Sequence, residues 1–179
     1  MEEIIKKYKK GTQISIGINK AIIISNLIKF KEYFVIYADL TENNDFNQSC
    51  GVATLDDKIA LIIRDKEKLV NGIGLSSNER TAIYCHELGH CFSKNQNHDG
   101  NPKRNISDEV DADTFAVKTC GISPYVLEEA LKKTYNYEIK KAKNNKNISV
   151  ERINRFIEEM TARKRNVERL IKEFNDISL

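Results

Sequence analysis

One stretch constrains this chain more than any other: His86-Glu87-Leu88-Gly89-His90, followed nineteen residues after its second histidine by Glu109-Val110-Asp111-Ala112-Asp113. Two histidines four residues apart lie one turn above each other on the same side of an α-helix. Both imidazoles can then reach a single metal ion. Glu87 is rotated from His86 by about 100° but still borders the same cleft. It can touch a metal-bound water without being a ligand, which is the place of a general base. A hydrolytic zinc site takes three protein ligands and keeps a fourth position for water. A carboxylate on a neighbouring helix is the natural third ligand.

Glu109 is the first choice for it. Glu109 and Asp113 are one helical turn apart and share a face. Glu109 can hold the metal while Asp113 accepts the N–H of a metal-bound histidine and fixes its tautomer. Asp108, Asp111 and His98 compete for the third position. Asp111 points off the shared face, and Asp108 or Ser107 can serve as a helix cap. H-E-x-x-H is a short motif, and a bare match would mean two surface histidines at helical spacing. Here His98 is the only histidine outside the pair. A helix is expected there on independent grounds, and the acidic pair follows at helical spacing. These three facts favour a metal site.

His86-Glu87-Leu88-Gly89-His90 after an apolar helical segment, then Glu109, Ala112, Asp113, Phe115 and Ala116 as E-x-x-A-D-x-F-A, resemble the ImmA/IrrE family of metallo-endopeptidases. The likeness spans roughly residues 50 to 125 and is sharpest at these two motifs. It implies zinc (Zn2+) on His86, His90 and Glu109, with Glu87 as the catalytic base. It implies an α+β fold of the small zincin-like kind: a short sheet packed on the H-E-x-x-H helix, with additional carboxy-terminal helices. The implied activity is cleavage of a specific cytoplasmic protein, a separately encoded helix-turn-helix repressor of a mobile element or stress response. Ile59 to Ile63 would form a strand with a free edge, to which an extended substrate adds. The same run is apolar enough to be a core strand, and the two roles are compatible.

A length of 179 residues fits a metallopeptidase domain over residues 1–123 and a helical extension over 124–179, packed on that domain or on a partner. The net charge of +3 is small, so nothing global demands nucleic acid or a membrane. The basic excess lies after residue 123. Its densest run, Arg163-Lys164-Arg165, is interleaved with Glu158, Glu159 and Glu168 and reads as a solvated face. Cys50, Cys85, Cys91 and Cys120 form no C-x-x-C pair and read as free thiols in a reducing compartment. A charged start, no apolar leader and no long apolar run predict a cytoplasmic protein.

Around the motifs, residues 2–9 read as a short basic helix ended by Gly11. Ile14 to Phe34 is ambiguous, with a helix capped by Asn19 favoured over strands around Ile22-Ile23-Ile24. Phe34 to Tyr37 reads as a buried strand, followed by a polar loop. Gly51–Leu55 and Ile59–Arg64, joined at Asp56-Asp57, form a hairpin. Ser76 and Glu79 make a capping box for a helix over Ser77 to about Ser93, with Ala82, Tyr84, Leu88 and Phe92 as its packing residues. Gly89 costs such a helix about 1 kcal/mol relative to Ala. Close approach of the Glu109 helix would explain its presence. That second helix should run from about Asp108 to Cys120 and stop at Gly121. A third opens at Pro124. The last carries an apolar stripe at Val150, Ile153, Ile157, Met160, Val167, Ile171 and Phe174, interrupted by Lys164. The stripe packs on the parent domain or on a partner helix, a second copy included. Tyr84 and His98 are the candidates for stabilising the oxyanion of a tetrahedral intermediate.

The expectation from these readings is a zinc-dependent endopeptidase. Its chief rival is a non-catalytic zincin-like module that sequesters a regulatory partner through the carboxy-terminal helix. Glu87 argues for the enzyme, because a structural metal site is closed by four ligands and needs no base beside it. A nucleic-acid binder is a weaker rival, since no base-reading motif is present.

Overall fold

The computed structural model describes residues 1–42, 49–92, 105–144 and 149–177. The chain is a mixed α+β protein, with helices and one sheet. It forms two compact units, Met1–Gly72 and Ile73–Leu179. The boundary expected after residue 123 falls inside the second of these.

Among the described residues of the first unit, helix α1 (Glu2–Lys7) precedes six strands. These are β1 (Gln13–Ile16), β2 (Asn19–Ile23), β3 (Ile28–Phe30), β4 (Tyr33–Glu42), β5 (Cys50–Asp56) and β6 (Ile59–Arg64). Their order is β1-β2-β4-β6-β5, with β3 also paired to β4. Among the described residues only β4 and β6 run parallel; the other pairs are antiparallel. Ala21, Ile23, Ile36, Ala38, Ile59, Leu61 and Ile63 form a buried cluster. They alternate along their strands, as one face of a pleated sheet requires.

Two expectations fail in this unit. No helix starts at Asn19. Gly17, at φ +59°, is the first central residue of a two-residue turn that pairs Ile16 with Asn19. Such a turn matches the twist of a hairpin, and Ala21 and Ile23 then fall inward at period two. Nor does Ile59–Ile63 have a free edge. Strand β6 is hydrogen-bonded to β4 on one side and β5 on the other, so its backbone is committed and no substrate strand can add to it. The β5–β6 hairpin itself forms as expected.

The second unit contains α2 (Ser77–Phe92), α3 (Ile106–Lys118), α4 (Pro124–Asn144) and α5 (Val150–Ile177). The capping box of α2 is closed in both directions. Ser76 N–H donates to Glu79 Oε2 (2.7 Å) and Glu79 N–H to Ser76 Oγ (3.3 Å). Lys133 of α4 donates to both Glu79 oxygens at 2.8 Å, tying the start of α2 to α4. Helix α3 begins two residues earlier than expected, because Asp108 reaches back to the Asn105 N–H (2.9 Å) and caps it from within. It ends at Lys118, and the chain turns away at Gly121, whose φ of +77° suits a residue without a side chain. Helices α2 and α3 pack together, and α5 lies against both α3 and α4.

On α5 the buried residues are Arg163, Asn166, Val167 and Leu170. The expected stripe is buried only around Val167; Val150, Ile153, Ile157 and Phe174 are exposed. Among the described residues no helix is long and apolar enough to cross a membrane. The four cysteines form no disulfide, and Cys50, Cys85 and Cys91 are buried.

Candidate metal centre

The α2–α3 contact builds the site, and Gly89 makes that contact possible. A Cβ at Gly89 would stand 2.6 Å from the Ala112 Cα and 2.9 Å from its carbonyl oxygen. Only a glycine lets the two backbones approach this closely. The approach brings Glu109 and Asp113 of α3 alongside His86 and His90 of α2. Ala112, between the two acids, supplies the small surface that faces Gly89.

His86, His90 and Glu109 are all buried and form a group that could hold a metal ion. The His86 and His90 Nε2 atoms are 3.1 Å apart. Glu109 Oε2 stands 3.2 Å from His86 Nε2, and Oε1 stands 3.5 Å from His90 Nε2. Ligand atoms placed tetrahedrally about zinc at its usual bond lengths are separated by about 3.3 Å. The donor set and its spacing therefore fit such an ion. Asp113, fully buried, has Oδ1 2.8 Å from His86 Nδ1. Asp113 thus meets the Nδ1 side of the ring, while Nε2 faces His90 and Glu109.

Glu87 is also buried, on the turn between the two histidines. Asp108 is used in the α3 cap. Asp111 lies outside the His86–His90–Glu109 group. His98 lies outside the described residues, and Tyr84 is half-buried on α2.

Sequence reasoning missed Arg163, the buried cation of this centre. It is not on a solvated face. Its Nε donates to Asp113 Oδ2 (2.8 Å), its Nη2 to Asp113 Oδ1 (2.7 Å) and its Nη1 to Glu109 Oε2 (3.1 Å). Glu159 lies 3.6 Å from Nη1 on the same helix, and the guanidinium carbon is 5.8 Å from the centre of the Tyr135 ring on α4. A signal for Arg163 did exist, since it stands four and seven residues before Val167 and Leu170, on one helical face. Tyr135 is buried too, and its hydroxyl has no hydrogen-bond partner among the described residues.

Charge explains the protonation of the group. Burial and the Arg163 charge both disfavour a proton on His86, but the carboxylates of Asp113 and Glu109 outweigh them and raise its pKa to about 9. Burial alone would raise Glu109, yet hydrogen bonds from His86 and His90 and the nearby cations hold it well below the usual carboxylate range. Asp113 is lowered likewise, against burial, chiefly by Arg163 and His86. Both acids are thus anionic at neutral pH.

Comparison with family models, with curated proteins and with solved structures gives no match.

Proposed function

We propose that this chain is a zinc-dependent endopeptidase of the ImmA/IrrE kind, with a zincin-like centre at His86, His90 and Glu109. The observation that carries the reading is the buried group of two imidazoles and one carboxylate at tetrahedral spacing, with Glu87 adjacent to His86 in the chain. Zinc in such a site polarises a carbonyl and makes water a nucleophile near neutral pH. Glu87 takes the proton from the attacking water and delivers it to the leaving amine nitrogen as the peptide bond breaks. Asp113 holds His86 in one tautomer and orientation throughout. The proposed substrate is a separately encoded cytoplasmic repressor with a helix-turn-helix domain, a choice that rests on the family resemblance.

The test compares cells producing the wild-type chain with cells producing Glu87→Gln, by mass-spectrometric mapping of new protein amino termini. The wild type should generate a discrete new terminus in one protein, and the variant should generate none while still binding zinc. Identical termini in the two strains would refute the role given to Glu87. The exposed Val150, Ile153 and Ile157 on α5 favour a second reading, in which this end of the helix docks a regulatory partner or a second copy. Retention of one partner by both proteins without cleavage would favour it.

A further inference from the structure

We propose that Arg163 is a positioning residue of the metal centre, so that docking of α5 and binding of a divalent cation by His86, His90 and Glu109 are coupled. The inference rests on the metal-site reading above and adds a fourth element to it. Arg163 reaches the centre from a position 50 residues beyond Asp113 and 54 beyond Glu109. One planar guanidinium grips both oxygens of Asp113 and one oxygen of Glu109. Asp113 Oδ1 in turn holds the His86 imidazole. The orientation of one ligand and of the partner of another therefore depends on a single side chain of α5.

Arg163 does not compete with the ion for Glu109. A carboxylate has about four lone-pair sites on two oxygens, so one oxygen can keep the guanidinium while a metal takes the other. Charge points the same way. The two carboxylates that Arg163 contacts carry one more charge than its guanidinium supplies, so the group still favours a further cation. Lysine cannot replace arginine here, because a point charge cannot serve two carboxylates in a fixed fork.

The experiment uses the full chain, stripped of metal and titrated with Zn2+ against a chromophoric chelator, with the Co2+ form followed by its visible spectrum. Wild type, Arg163→Lys and Lys164→Ala are compared; the Lys164 side chain is 72% exposed and serves as the neighbouring control. Arg163→Lys should lose about 10–100-fold in affinity and shift the Co2+ bands, while Lys164→Ala should match the wild type. In the wild type, amide exchange between residues 160 and 170 should slow on adding Zn2+, together with that of residues 84–90. Unchanged affinity and spectrum in Arg163→Lys would overturn the coupling, as would exchange that slows in α2 and α3 but not in α5. A wild type that binds neither ion would instead overturn the metal site itself.

Discussion

At Gly89 two opposed effects meet on one atom. Replacing it with Ala would improve helix propensity by about 1 kcal/mol. The added methyl, however, would collide with the Ala112 backbone, which cannot rotate away as a side chain would. Forcing atoms into packed space costs about 1–3 kcal/mol, and here it also separates α2 from α3. Gly89→Ala should therefore lower the midpoint of urea unfolding and weaken metal binding together. A variant with unchanged affinity would show that the close approach does not build the site. Glu109→Ala gives the direct assay: about one zinc per chain in the wild type by elemental analysis, sharply less in the variant. The role of Gly89 was legible in the sequence, because a glycine inside a strongly patterned helix asks for a reason. Arg163 was overlooked for an equally physical reason. A charge among other charges reads as solvated, and only the fold shows which of them faces two carboxylates.

Helix α2 starts where it does because Glu79 serves two partners, the Ser76 N–H and the Lys133 ammonium. Burial works to raise the Glu79 pKa, but these hydrogen bonds and the Lys133 charge prevail and lower it from 4.5. A group whose folded pKa is depressed stabilises the native state above its unfolded value and ceases to do so as pH falls through the folded one. The contribution of Glu79 is thus complete above 4.5 and is lost with acidification below it. Lys133→Met should reduce stability at pH 7 and flatten the pH dependence of the unfolding midpoint between pH 5 and pH 3, by roughly this one linkage. An unaltered slope would mean that the pair contributes nothing. Helices were the most legible elements, since caps, Pro124 and Gly121 all lie in local sequence. Strands β1 and β2 were not, because their apolar run suits either structure until the Gly17 turn sets the pairing.

All three proposed ligands, together with Glu87, Asp113 and Arg163, belong to the second compact unit. Metal should therefore stabilise the molecule unevenly. At a free zinc concentration 100 times the dissociation constant, binding adds about 2.7 kcal/mol, and regional amide exchange should show protection rising first within residues 73–177. Equal protection of the strands in residues 1–72 would show that the two units respond as one. The mixed α+β class was what the motif resemblance implied, and the residues themselves showed the β5–β6 hairpin and the helices. The division at Gly72 was not, since it reflects which elements contact one another over long sequence separations.

The 50-residue gap between Asp113 and Arg163 also places the centre in time. A chain made at about 5–20 residues per second adds residue 163 roughly 3–10 s after residue 113. Through that interval Glu109 and Asp113 have the histidines but no guanidinium to accompany them out of water, and burying carboxylates short of partners is unfavourable. The acids of the α2–α3 pair thus gain their full set of charge partners only once chain from the next two helices has been made.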